Sequence, residues 1–173
     1  MTLLILRLEG AMQSWGTRSR FDDRDTTEMP GKSAVVGLLA CALGYPRGDA
    51  RIAELDAALR MGARADRAGR MALDYQTVTR QIGHLLNASG KERVVPGKKS
   101  GSPDTIISKR QYLQDACYTV VLAGDAELLR RCAQALDDPA WQLFLGRKSY
   151  PPSRPVLEAL TDEYAGIEQA LRA

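Results

Sequence analysis

Leu3-Leu4-Ile5-Leu6-Arg7-Leu8-Glu9-Gly10 opens the chain as a nearly continuous apolar run stopped by a glycine, and its reading decides the fold. A run this short and this apolar, bounded by a turn residue, reads as a strand buried on both faces and so central in its sheet. A second run, Cys117–Ala123, is apolar apart from Thr119 and reads as a further strand.

Outward from Gly10 comes a polar, Arg/Asp-rich loop over Ala11–Pro30. Ser33 then opens a helix, Ala34–Leu43, with Gly44 as its stop and Pro46 beyond. Asp49 caps a second helix whose stripe is Ile52, Leu55 and Leu59. Residues 61–80 read as two strands around Ala68-Gly69, with Thr77, Val78 and Thr79 favouring β structure. From Leu86 to Pro103 the composition shifts to Gly, Ser, Lys and Pro, the pattern of a long exposed excursion. Thr105–Leu113 is a further strand. Asp125 caps a helix with Leu129, Cys132, Ala133 and Leu136 on one face, ended by Pro139. A basic, proline-rich loop (Gly146–Pro155) leads to a strand, Val156–Leu160, and a final helical segment, Asp162–Leu171.

The order β-α-(α)-β-β-β-α-β, with one hairpin inserted, is that of an α+β, ferredoxin-like (RRM-like) split βαβ domain. A length of 173 residues suits one such domain over 1–173, with the insertion at about 75–113. Hydrophobic residues at 45% and charged residues at 26% are ordinary for a globular chain and exclude wholesale disorder.

The longest uncharged apolar stretch, Ala34–Leu43, is half a membrane span, and Arg7 and Glu9 cut the first run short of a signal-peptide core. The expectation is a soluble, cytoplasmic protein with no membrane partner. Cys41, Cys117 and Cys132 form no CxxC or Cys/His pattern, which supports neither a zinc site nor a disulfide framework. Each lies in an apolar run, as a small core residue of a reducing compartment does. No cofactor or metal is expected.

The net charge is only +3, but it is unevenly placed. Residues 74–112 carry Arg80, Lys91, Arg93, Lys98, Lys99, Lys109 and Arg110 against Asp74, Glu92 and Asp104. Residues 146–155 carry Arg147, Lys148 and Arg154 with no acid. Cations gathered this way point to a polyanion, and the alternative is a solvated loop. Pro30-Gly31-Lys32-Ser33 stands immediately before a helix, where free N–H groups, Lys32 and the Ser33 hydroxyl can hold a phosphate; the alternative is plain capping by Ser33.

Catalysis has thin support. His84 is the one histidine, and a lone histidine in a β-rich segment reads as a polar or hydrogen-bonded residue. Metal-free RNA cleavage could recruit it with Tyr75, Lys91 or Tyr112 as acid and base. Asp22, Asp23 and Asp25 alternate with Arg20 and Arg24, the pattern of a solvated loop rather than a metal cluster. Walker-type and dinucleotide-binding glycine loops are absent.

Four collinear blocks carry a resemblance: Leu4–Gly16 with its Met12-Gln13-Ser14-Trp15-Gly16, Pro30–Ala40, Ser108–Ala116 and Phe144–Pro151. Together they resemble the CasD family, the handle-binding subunits of type I-E CRISPR surveillance complexes (Cascade) within the RAMP superfamily. Members of that family have a ferredoxin-like body and a protruding β-hairpin thumb, which the resemblance lays on about Tyr75–Leu113. It implies a non-catalytic subunit that holds the 5′ handle of the crRNA and joins the backbone (CasC) and large (CasA) subunits in antiviral defence. The enzyme alternative is a metal-independent endoribonuclease of repeat RNA, as in type I-C systems; in type I-E that work falls to a separate subunit, CasE. At the motif positions Lys32, Ser33, Arg110, Arg147 and Lys148 are the implied phosphate contacts, and Lys91, Arg93, Lys98 and Lys99 rest on charge alone. Trp15 either stacks a base or packs its loop against the body. Family members continue past a segment like Val156–Ala173, so the resemblance implies a C-terminal portion shortened or absent here.

Overall fold

The computed structural model describes residues 1–17, 23–79 and 105–173. Among these residues, two antiparallel-based sheets and four helices make a mixed α/β structure. The body sheet contains β1 (Leu3–Glu9), β4 (Arg60–Arg67), β7 (Cys117–Ala123) and β8 (Leu157–Thr161), in the order β4-β7-β1-β8. The two apolar runs are therefore its two central strands, paired antiparallel from Leu3 opposite Ala123 to Glu9 opposite Cys117. β4 and β1 are both antiparallel to β7, and β7 and β8 are both antiparallel to β1. Hence β1 and β4 run parallel with β7 between them, and β7 and β8 run parallel with β1 between them.

Alternation sorts the central strands into two faces. Leu4, Leu6 and Leu8 of β1 and Tyr118, Val120 and Leu122 of β7 form the main core. Two helices cover that face: α1 (Lys32–Ala42), through Val35, Val36 and Leu39, and α3 (Ala126–Asp137), through Leu129, Cys132, Ala133 and Leu136. Truncating one of these leucines to alanine costs about 2–5 kcal/mol in a core of this kind. Asp125 caps α3 by accepting from the Glu127 and Leu128 amides, and Asp49 caps α2 (Ala50–Ala58) by accepting from the Arg51 amide. On the opposite face Leu3, Val121 and Ala123 pack against Ala170 of the short α4 (Ile167–Arg172). Beyond α4 that face carries an ionic network. Arg7 binds Glu9 (3.2 Å) and Asp66 (3.6 Å), Arg64 binds Asp66 (2.7 Å), Arg67 binds Glu9 (3.2 Å), and the Thr119 hydroxyl donates to Asp66 (2.6 Å).

The second sheet is built on a ribbon. β5 (Arg70–Thr79) and β6 (Thr105–Gln114) pair antiparallel through ten registers, from Arg70 opposite Gln114 to Thr79 opposite Thr105. Two short strands line the other edge of β6: β2 (Met12–Gln13) and the parallel β3 (Asp23–Arg24). The chain passes between sheets at two tight corners that touch. Gly69, with φ +74°, makes the first; a Cβ there would lie 2.5 Å from the Gln114 carbonyl oxygen and 2.9 Å from Ala116. Asp115, with φ +56°, makes the second.

Three sequence expectations need correction. Ala11–Pro30 is not one loop, because β2 and β3 lie in it; strands of two residues have no internal periodicity and exist only through pairing with β6. α1 begins at Lys32, with Gly31 as its N-cap and no side-chain cap, so Ser33 neither opens nor caps it. The last helix is confined to Ile167–Arg172, and Thr161 still belongs to β8. Cys117 and Cys132 are buried and Cys41 is half-buried, and burial raises all three thiol pKa values, that of Cys132 to about 11.

Candidate nucleic-acid interface

Three chain segments far apart in sequence converge where the ribbon meets the body. β2 pairs with the end of β6, and Ser14, just after β2, donates its amide to the Leu145 carbonyl (3.0 Å). Leu145 in turn donates to the Tyr150 carbonyl (2.8 Å), and Tyr150 donates to that of Arg147 (2.8 Å), closing a tight loop. Gly146 turns this loop with φ +91°, and a Cβ there would fall 1.7 Å from the Ser14 carbonyl oxygen, so only glycine fits.

The loop aims Arg147 at β6. Its Nη2 donates to the Gln111 carbonyl (2.9 Å) and its Nη1 to the Tyr150 hydroxyl (2.9 Å), with the guanidinium carbon 5.4 Å from the Tyr150 ring centre. Tyr150 is buried and tilts against the half-buried Tyr112 of β6, their ring centres 6.1 Å apart. On the same face of β6, Arg110 donates from Nε to the Ser108 hydroxyl (3.0 Å). The parallel register sets Arg24 of β3 beside Arg110, and the antiparallel register sets Asp74 of β5 on its other side. Three guanidiniums thus gather at one place. Burial, then the charges of Arg24 and Arg147, hold the Arg110 pKa below its ordinary value, with Asp74 and Tyr150 pulling the other way. Arginine stays charged under such a shift, so the cluster keeps a concentrated positive field. Guanidiniums supply planar, bidentate donors that match phosphate oxygens, and Tyr112 adds an aromatic edge beside them.

The sequence-derived site residues separate into groups. Arg110 and Arg147 come together in this cluster. Lys148 is exposed and borders a groove beside α1 instead. Lys32 is the first residue of α1, but its ammonium reaches across to α2, donating to the Asp56 carbonyl and pairing with the Asp56 carboxylate (3.4 Å). Ser33 is exposed. Trp15 is 2% exposed, packed in the main core with its amide held by the Thr26 hydroxyl (2.8 Å); of its two readings the packing one is observed, and no ring face is open to a base. Lys91, Arg93, Lys98, Lys99 and His84 lie outside the described residues.

Sequence reasoning missed Arg24, which it left in a solvated Arg/Asp alternation, and the support given by Tyr150 and Tyr112. The position of Tyr150 in the Phe144–Pro151 block, three residues after Arg147, was a usable signal. The pairing of a two-residue strand was not. Among the described residues no helix is long and apolar enough to cross a membrane, and no three His, Cys, Asp or Glu side chains are grouped to hold a metal.

Comparison with known proteins gives this geometry a context. The family model described as CRISPR-associated protein (Cas_Cas5) matches residues 3–173. The CRISPR system Cascade subunit CasD of Escherichia coli (strain K12) is 32% identical over 161 residues, which cover 88% of this chain and 68% of that one. A chain of a solved CRISPR RNA-guided surveillance complex is 36% identical with a TM-score of 0.72, over 90% of this chain and 61% of that one. A crystal structure of a Cas protein is 39% identical with a TM-score of 0.69, over 98% and 69%. The chain therefore spans about two thirds of the length of these relatives. Because the family match runs almost from end to end, and a one-third-identical relative follows the same residues, this chain belongs to the CRISPR-associated Cas5 family.

Proposed function

We propose that this chain is a non-catalytic subunit of a type I-E CRISPR surveillance (Cascade-like) complex that binds the 5′ handle of the crRNA and helps assemble the complex for antiviral defence. The observation that carries the reading is the convergence of Arg24, Arg110 and Arg147 at the root of the ribbon. Like charges this close repel one another, and a phosphate between them turns that repulsion into attraction. A handle is single-stranded, so its backbone is gripped by such cations while its bases are splayed on side chains.

The body in this reading is ferredoxin-like. Supporting it, α1 lies on the β1-to-β4 connection and α3 on the β7-to-β8 connection, and each connection joins parallel strands with one strand between them. The β5–β6 ribbon is the base of the thumb, and Lys91, Arg93, Lys98 and Lys99, which stand between its two strands in sequence, are further phosphate contacts by their charge. Lys32 and Ser33 act as secondary phosphate contacts outside the arginine cluster, whereas Lys148 faces a different surface. The neighbours are the CasC backbone and CasA large subunits, in the cytoplasm, as suits a relative that is itself a Cascade subunit.

Incubating the purified protein with labelled repeat RNA, with and without EDTA, tests this. A mobility shift with intact RNA is expected. Cleavage that persists in EDTA would establish the metal-independent endoribonuclease instead, and an absent shift would remove handle binding.

A further inference from the structure

A groove of about 710 Å³ runs along the exposed side of α1, away from the arginine cluster. Its floor includes Gly37 and Ile52, and its wall is Trp141 and Phe144. Trp141 is 48% exposed, yet its segment is fixed in place: the Ala140 amide donates to the Ala42 carbonyl (2.9 Å), and the Cys41 thiol approaches the Gln142 carbonyl (3.5 Å). An exposed tryptophan on anchored backbone is a preorganised contact surface. Gly37 sits in mid-helix, where glycine is weaker than alanine, and a Cβ built there meets nothing within 4 Å. Packing does not require this glycine, whereas an open floor does.

Among the described residues, both charged side chains at the groove, Arg47 and Lys148, are cations and no carboxylate lines it. Charge complementarity therefore calls for an anionic occupant, and the apolar floor and wall call for a large hydrophobic side chain at its centre. A nucleic acid would draw on the same cations with Trp141 as a stacking face and is tested beside the peptides; the apolar lining of Gly37, Ala40, Ile52 and Phe144 favours a hydrophobic anchor. We propose that this groove docks a segment of a partner protein bearing an aromatic or leucine anchor flanked by aspartate or glutamate. The site is separate from the arginine cluster, so it is available while that cluster holds RNA.

The chain has two tryptophans, and Trp15 is buried, so quenching of exposed emission by acrylamide reports on Trp141. The probes are synthetic ten-residue peptides with one Leu, Phe or Trp between glutamates, the same peptides with lysine flanks, and oligouridylate. Peptides bearing tryptophan are read by fluorescence anisotropy of an attached dye. An acidic peptide is expected to protect Trp141 and to bind at least tenfold tighter than its lysine counterpart. Gly37→Leu fills the floor and should weaken it at least tenfold, and Lys148→Glu should abolish the preference for acidic flanks. Gly37→Ala, expected to melt no lower than the parent, separates groove filling from helix damage. Absence of protection by every acidic peptide overturns the proposal. Equal or better protection by oligouridylate overturns it in favour of nucleic acid.

Discussion

Arg147 Nη2 lies 2.9 Å from the carbonyl oxygen of Gln111, so a loop residue is fastened to the middle strand of the ribbon sheet. Lys148, next in the chain, borders the groove beside α1. Adjacent cations therefore serve different surfaces. Arg147→Ala should weaken binding of a handle oligonucleotide at least tenfold. It should also flatten the slope of log K against log salt by about 0.7, the share of one phosphate neutralised on a single strand. Lys148→Ala should change affinity less than threefold. Titrations at several salt concentrations decide this, and equal effects of the two substitutions would show that both side chains reach the RNA.

Arg110 is the most crowded cation of the cluster. Without RNA its burial and the repulsion from Arg24 and Arg147 work against the folded state. Arg110→Gln should leave the melting temperature of the free protein unchanged or higher, most clearly at low salt, while RNA binding falls. A clear drop in melting temperature would show that Arg110 is held chiefly by favourable interactions.

Gly146 admits no side chain. A Cβ would lie 1.7 Å from the Ser14 carbonyl oxygen, in a backbone conformation that other residues adopt only with strain. Gly146→Ala should destabilise the fold by about 2 kcal/mol or more, and the displaced loop should release Arg147 from Gln111 and weaken RNA binding. Chemical denaturation and an RNA titration on the same variant measure both effects.

Tyr118 spans the core and donates its hydroxyl to the Glu28 carbonyl (2.6 Å), tying β7 to the segment that leads into α1. Tyr118→Phe leaves that carbonyl without this donor and should cost about 1–2 kcal/mol. Burial pushes the phenol up to about 12. A group whose pKa is raised by folding contributes its full stability below the unfolded value, near 10, and loses it as pH rises toward the folded one. Stability should fall between about pH 10 and 12, and less so in Tyr118→Phe. Thermal melts of both proteins across that range provide the check.

Acid should act on the other face of the body sheet. The hydrogen bond from Arg7, followed by that from Arg67, holds Glu9 below the usual carboxylate range. At Asp66 burial alone would raise the value, but the Thr119 and Arg64 hydrogen bonds and the charges of Arg64 and Arg7 outweigh it, so its pKa is also lowered. Both carboxylates contribute stability above their unfolded pKa values and lose it as pH falls through the folded ones. Melting temperature should fall below about pH 4, and the double variant Glu9→Gln/Asp66→Asn should show a shallower decline.

The body was legible in the sequence because its signals are local. Leu3–Leu8 announces a central strand and Cys117–Ala123 a strand by their nearly continuous apolarity, and Asp49 and Asp125 stand where helix amides need acceptors. Arg110 and Arg147 were legible as charged motif residues. Their meeting was not, since it depends on the positive φ at Gly146 and on Ser14 joining β2 to the loop. Ser33 misled for a related reason: serine is a common cap, but Gly31 already adopts the extended conformation at that position. Arg24 gave no signal, because two residues opposite Lys109 and Arg110 carry no period of their own.

The outer end of the ribbon is a cantilever. β3 and Arg147 hold β6 at Lys109–Gln111, so the pairs beyond, from Ser108 opposite Gln76 to Thr105 opposite Thr79, overhang by about 13 Å. A rotation of about 10° at Lys109 would carry the far end, Thr79 beside Thr105, through about 2 Å over that length. Small readjustments where RNA meets the arginine cluster are thereby passed outward along the ribbon.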